Sequence, residues 1–280
     1  MDKMRASHVV DKGRIVCDQS EVIAPTDGEV MVKINYAAIC GSDLHTVYSE
    51  SPLPPWRDTR GFPGHEGIGT IVESRDPNHK VGDRVLCCPV GSEAKTGTFA
   101  EYHTASGSHM IPLPKTDVPE DELLMAQQFG TTIFALRQVA VDVVGKTCVV
   151  MGQGSAGLFF ANSLKRWGAK KVIASDLSES RLGISKQFGV DLAVKGDPGN
   201  LTQTVLEETN GEGCDILVEA VGAQSSLAES VGMIKFRGRG IFFGLPDTNK
   251  LVPFNFFDFQ RKQLNINAPG GAQHEGDRVS

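Results

Sequence analysis

The sequence predicts an α/β protein in two parts. The first is a β-rich N-terminal half, read as a compact antiparallel barrel or sandwich; the second is a doubly wound parallel sheet. Three observations carry this. Residues up to about 115 are rich in Gly and Pro, with short alternating segments. From about 145, strand-like and helix-like stretches take turns. The first of those strand–helix joins holds the run Gly152-Gln153-Gly154-Ser155-Ala156-Gly157.

In the first half, residues 29–34 alternate polar and apolar side chains, as a strand with one buried face does. Residues 67–72 and 84–87 read the same way, and Val81-Gly82-Asp83-Arg84-Val85 sets a Gly-Asp turn before the latter. In the second half, 147–151 is a short apolar strand. Ala156, Phe159, Phe160, Leu164 and Trp167 then recur at helical spacing. Further strands are expected at 171–175, 191–194, 215–219, 238–243 and 263–267. Helices are expected from Ser178 to about Gln187, at about 199–209 and at 224–235. Such alternation requires a parallel sheet with helices on both faces. The domains are placed at 1–128 and 129–280.

Composition narrows the function. The formal net charge is −6, and the cations are scattered, with only Lys170-Lys171 and Arg261-Lys262 as pairs. Phosphate backbones need clustered cations, so no nucleic-acid partner is expected. No apolar run approaches the roughly 20 residues of a membrane span, and the N-terminus lacks an apolar signal core. The expected location is the cytoplasm, with no membrane contact. The six cysteines, at 17, 40, 87, 88, 148 and 214, form no CxxC pair. In a reducing compartment they read as buried thiols or a metal ligand rather than disulfides. Cys148, inside an apolar run, reads as packing.

The glycine run gains weight from its context, because it follows a strand and opens an amphipathic helix. Gly152 permits a tight turn, Gly154 lets backbone approach a pyrophosphate, and Gly157 lets helix and strand pack closely. Ser155 and Ala156 begin the helix, where free N–H groups favour an anion. Asp176 lies 19 residues after Gly157, at the end of the second strand. A carboxylate there accepts the adenosine ribose hydroxyls and repels a 2′-phosphate, which favours NAD over NADP. A bland alternative makes Asp176 a helix N-cap, with Ser178 competing for that role. Arg181, in the next helix and expected to face solvent, and Val221, just after the fourth strand, complete the candidate cofactor residues.

Cys40-Gly41-Ser42-Asp43-Leu44-His45 gathers a thiol, a hydroxyl, a carboxylate and an imidazole within six residues. Gly64-His65-Glu66-Gly67-Ile68-Gly69 follows, with His65 25 positions after Cys40. A lone Cys is usually core and a lone His a satisfied polar residue. Together the two motifs resemble the medium-chain dehydrogenase/reductase family, specifically its zinc-dependent alcohol, polyol and threonine dehydrogenases. The likeness continues through 81–85 and the nucleotide-binding half, so it covers nearly all 280 residues.

The resemblance implies a GroES-like barrel as the catalytic half and a Rossmann domain as the other. It implies one catalytic zinc, NAD, and hydride transfer from a secondary alcohol, polyol or sugar. A homodimer or homotetramer is expected. Cys40 and His65 would be zinc ligands, for which thiolate and imidazole are suited. Ser42 would pass on the substrate proton and His45 receive it nearer the surface. Asp43 would orient the ligand imidazole, and Glu66 would stand behind the metal. Tyr48, Trp56 and Phe254 are candidates for the substrate pocket, with packing as the alternative for each.

The sequence departs from the family pattern in three places. The four-cysteine lobe that binds a structural zinc in many members is replaced by a short segment with Cys87 and Cys88 alone, so no structural zinc is expected. The third ligand position, usually Cys or Glu just before the helix leading to the second half, falls on Gln128, whose neutral amide is a poorer donor. Family members also run on past residue 280, so the resemblance implies that the Rossmann part is truncated at its C-terminal end. Two other readings stay open. One is a zinc-free quinone or enoyl reductase of the same fold, against which Cys40 with His65 argues. The other is a nucleotide-binding protein without catalysis.

Overall fold

The computed structural model describes residues 3–48, 59–88, 94–139, 142–197, 199–246 and 251–269. The described residues up to Gly130 form one compact unit and those from Thr131 another.

In the first unit, β1 (Lys3–Asp11) and β2 (Arg14–Glu21) form an antiparallel hairpin. Five strands make a second antiparallel sheet: β3 (Glu29–Ala38), β4 (Glu66–Ser74), β5 (Arg84–Cys87), β6 (Tyr102–Ser106) and β7 (Met110–Pro112). Their spatial order is β6-β3-β4-β5-β7. Alternate residues supply the buried face, where Val30, Val32, Ile71, Val85, Cys87, Ala105 and Met110 pack together. The expected strands at 29–34, 67–72 and 84–87 lie within β3, β4 and β5. Helix α1 (Gly41–Tyr48) follows β3, and α2 (Glu120–Val139) joins the units.

The pairing of β3 with β4 brings the two candidate metal motifs together. Ala38, at the end of β3, is the register partner of Glu66, at the start of β4. Cys40 therefore leaves the sheet where His65 enters it. The strands also lie close: a Cβ on Gly69 would come within 2.1 Å of the Lys33 carbonyl oxygen.

The second unit runs β8 (Thr147–Met151), α3 (Ser155–Arg166), β9 (Lys171–Asp176), α4 (Glu179–Ser185), β10 (Leu192–Lys195) and α5 (Asn200–Glu208). It continues with β11 (Cys214–Glu219), α6 (Gln224–Met233), β12 (Ile234–Phe242), α7 (Phe256–Arg261) and β13 (Asn265–Asn267). All neighbouring strands are parallel, in the order β10-β9-β8-β11-β12-β13. Counted from β8, this is 3-2-1-4-5-6, the order of a dinucleotide-binding Rossmann sheet. The pleat divides the apolar residues between two cores. Cys148, Val150, Ile216 and Val218 face Phe160 and Leu164 of α3. Val149, Met151 and Leu217 face Leu201 and Val205 of α5 and Val231 of α6. With both faces covered, the middles of the central strands are apolar, residues 148–151 in β8 and 216–218 in β11, which is why they stood out in the sequence.

Two elements differ from expectation. The helix expected over 224–235 ends at Met233, and β12 begins at Ile234, four residues early. Ile234 is fully buried, and the Lys262 ammonium donates to the carbonyls of Val231, Gly232 and Ile234, closing the helix end. Helix α2 begins at Glu120, after Pro119, so Gln128 lies inside the helix rather than ahead of it. The acidic residues Glu120, Asp121 and Glu122 favour that earlier start by meeting the positive helix end.

Candidate metal centre and dinucleotide cleft

Ligand-bearing atoms of Cys40, His65 and Glu66 all lie within 4.8 Å of one another. Glu66 is buried, and Cys40 and His65 are partly so. Thiolate, imidazole and carboxylate are the donor types zinc takes, so the set fits a zinc ion. Asp43, 3 % exposed, braces both motifs. One of its oxygens accepts from the Cys40 backbone N–H at 2.8 Å. The other stands 3.0 Å from His65 Nδ1. That second contact lacks hydrogen-bond alignment, and the Pro63 carbonyl shares the same ring nitrogen at 3.1 Å. We read it as charge attraction rather than a directed hydrogen bond.

These contacts fix the imidazole. With Nδ1 beside the Asp43 carboxylate and the Pro63 carbonyl, it is the ring nitrogen placed to hold a proton, which leaves Nε2, near Ser42 Oγ, as the one available to a metal. Burial pushes the His65 imidazolium down, but Asp43, Cys40 and Pro63 outweigh it and raise its pKa to about 11. Burial pushes Glu66 up, opposed by the attraction of His65 and by Cys40, while Asp43 adds to the rise.

Ser42 Oγ lies 3.4 Å from His65 Nε2. His45 follows three residues later on α1, on the same helical face. Its Nε2 is shielded from solvent and has no hydrogen-bond partner among the described residues. Gln128 is partly buried. Leu124, one turn earlier on α2, packs on Ile68 of β4. Tyr48 is 60 % exposed and Phe254 packs on Phe259, while Trp56 and residues 89–93 of the short lobe lie outside the described residues.

In the second unit the glycine loop leaves β8 at Gly152, with φ +86°. A Cβ on Gly157 would come within 1.9 Å of the Gly152 carbonyl oxygen, so only glycine allows α3 this close to the loop. A Cβ on Gly154 would meet nothing within 4 Å. That opening faces a cleft of about 1580 Å³. Gly152, Gly154, Asp176, Arg181 and Val221 line it. Ser155 is exposed and Ala156 partly so at the start of α3, where first-turn N–H groups lack partners within the helix. The open backbone and the cleft fit a pyrophosphate and its nucleoside.

Asp176 ends β9, its side chain 8 % exposed. It accepts the Gln153 N–H at 2.7 Å and the Ser178 N–H at 2.8 Å, and Arg181 Nη1 stands 3.8 Å away. It therefore anchors the glycine loop to the chain after β9. Ser178, not Asp176, is the N-cap of α4. Sequence reasoning missed Asp197, Glu207 and Glu229, which also line the cleft. On α5 and α6, Glu207 and Glu229 occupy positions that a solvated helix face would fill equally well.

Comparison with known proteins agrees with this architecture. Residues 26–115 match the alcohol dehydrogenase GroES-like domain, and residues 156–275 match the zinc-binding dehydrogenase domain. The chain is 30 % identical to D-arabitol-phosphate dehydrogenase of Enterococcus avium, over 81 % of this chain and 70 % of that protein. It is 25 % identical to L-threonine 3-dehydrogenase of Rhizobium rhizogenes, over 95 % and 83 % respectively. Benzyl alcohol dehydrogenase from Acinetobacter calcoaceticus superposes with a TM-score of 0.87 at 20 % identity, covering 100 % of this chain and 87 % of that one. That likeness speaks for the fold. With both domain types in series and a relative at 30 % identity, the chain is a dehydrogenase and belongs to the zinc-type medium-chain dehydrogenase family.

Proposed function

We propose that this dehydrogenase oxidises a secondary alcohol, polyol or sugar with NAD, using one zinc ion held by Cys40, His65 and Glu66. The observation that carries the reading is the convergence of those three donors within 4.8 Å. Bound zinc would supply Lewis acidity, making an alcohol oxygen far more acidic than in water. The nicotinamide would take up the hydride.

The chain's own residues do the rest. Asp43 holds the Cys40 backbone and the His65 ring in one arrangement. Ser42, beside His65 Nε2, takes the substrate proton and passes it along α1 to His45. Gln128 supplies a further donor from α2, directly or through water. The preference for NAD is supported by four carboxylates lining the cleft, Asp176, Asp197, Glu207 and Glu229, against the single guanidinium of Arg181. A 2′-phosphate would enter a negative field there.

The test is a panel of secondary alcohols, polyols and sugars, scored for NADH and NADPH formation by zinc-loaded and chelator-treated protein. Turnover with NAD that is lost on chelation and restored by zinc is expected. Undiminished activity after complete metal removal would turn the assignment to a zinc-free reductase.

A further inference from the structure

Glu219, the last residue of β11, has none of its surface exposed. Burying a carboxylate is costly unless donors surround it. Here Oε1 accepts from the N–H groups of Val221 and Gly222, each at 3.0 Å, and from the Ser226 hydroxyl at 2.7 Å. Oε2 accepts a second contact from the Gly222 N–H at 3.1 Å. Burial pushes its pKa up and these neutral donors pull it down.

The arrangement fastens a short piece of chain in place. The Ala220 N–H donates to the carbonyl of Met151, at the end of β8. Gly222 adopts φ +80°, and a Cβ there would come within 2.3 Å of the Leu245 carbonyl oxygen. Between them Val221 is turned outward, half exposed, into the cleft. Its Cγ2 lies 2.8 Å from where a Cβ on Gly152 would be, so it closes directly on the first glycine of the loop. Ser226, the carboxylate's third donor, also lines the cleft, from the first turn of α6. Glu219 itself does not line it.

We propose that Glu219 is a positioning residue for the dinucleotide: its carboxylate fastens the 220–223 segment so that Val221 and the start of α6 form one wall of the cleft. This rests on the cleft being the nicotinamide-dinucleotide site. Glu219→Gln keeps the shape and one acceptor but turns an NH₂ toward donors. Ser226→Ala removes one donor and leaves the carboxylate intact.

The experiment measures NADH affinity by fluorescence titration and the NADH-induced rise in Tm, beside cofactor KM, kcat and zinc content. Glu219→Gln should weaken NADH binding about tenfold or more, the worth of a hydrogen bond to a charged group. Cofactor KM should rise by the same factor, with kcat at saturating cofactor and zinc content unchanged. Ser226→Ala should weaken binding less, by about threefold, because the Val221 and Gly222 N–H groups still hold the carboxylate. Both variants binding NADH as the unmodified protein does overturns the proposal, as does a loss confined to kcat. If Glu219→Gln does not fold, Ser226→Ala decides, and unaltered affinity there overturns the proposal. If the unmodified protein binds neither NADH nor NADPH, the reading of the cleft fails, and this inference with it.

Discussion

Alanine at Gly154 and alanine at Gly157 should have opposite consequences. At Gly157 the new methyl would sit 1.9 Å from the Gly152 carbonyl oxygen, against a limit near 3.0 Å for real contacts. The obstacle is backbone, so α3 and the glycine loop must part by more than 1 Å. Overpacking of this kind costs roughly 1–3 kcal/mol or more, a fall of several degrees in Tm for a unit of this size. A 1 Å misplacement of groups that hold a reacting ligand costs about 10²-fold in rate, so cofactor-dependent kcat/KM should drop by that order. Gly154 has φ −70° and ψ −176°, open to any L-residue, and nothing within 4 Å of a new Cβ. Alanine there should leave the fold intact or stabilise it by about 0.4–1 kcal/mol, through the unfolded chain. The methyl instead occupies the approach to the backbone, and NADH affinity should fall about tenfold or more. Thermal melts with and without NADH, beside a fluorescence titration, separate the two effects. Full NADH affinity in Gly154→Ala would refute the placement of the pyrophosphate over this residue.

Asp176→Ala should narrow the proposed preference for NAD over NADP, read as the ratio of their kcat/KM values. Because Asp176 also accepts the Gln153 and Ser178 N–H groups, affinity for both cofactors should fall. A variant that simply gains NADP affinity would contradict the anchoring role. Metal analysis after zinc loading should find at most one zinc per chain, abolished by Cys40→Ser and tightened by Gln128→Glu; two per chain would overturn the single-site reading. Ser42→Ala should keep zinc and NADH binding but slow alcohol oxidation by about 10²–10⁴, and an unchanged rate would make the hydroxyl merely structural. His103 is 2 % exposed, and burial depresses its pKa from 6.5 to about 4, against hydrogen bonds with Thr96 and Gly97. The unfolded chain thus binds this proton more readily than the folded one. The contribution is complete above pH 6.5 and is lost as pH falls toward 4, by about 3 kcal/mol in all. His103→Gln should flatten that part of the stability–pH curve, and an unaltered slope would show that other groups carry it.

The central strands of the second unit were readable from side-chain type, because a strand covered on both faces has an apolar middle. β8 is Thr-Cys-Val-Val-Met, and residues 148–151 divide between two cores without a polar gap. The first unit hid more of its strands. β6 is Tyr-His-Thr-Ala-Ser, yet His103 and Thr104 are buried, the Thr104 N–H donating to Thr96 Oγ1. Polar residues at buried positions carry no hydrophobic signature, and β1 and β2 passed unmarked for a related reason, their buried positions falling on small or scattered residues. The candidate metal site divides along the same line. Thiol and imidazole announce themselves as donors, but their convergence depends on the register of β3 against β4, which a linear string does not contain. Asp43 shows the limit most sharply. A carboxylate three residues after Cys40 looks like any acid in a first helical turn. Only the fold gives one of its oxygens to the Cys40 N–H and the other to the His65 ring, so that a single buried charge holds two candidate ligands in register. Asp43→Asn keeps the size of that side chain and removes its charge, so of all conservative changes near the site it most directly separates the shape of the pocket from its electrostatics.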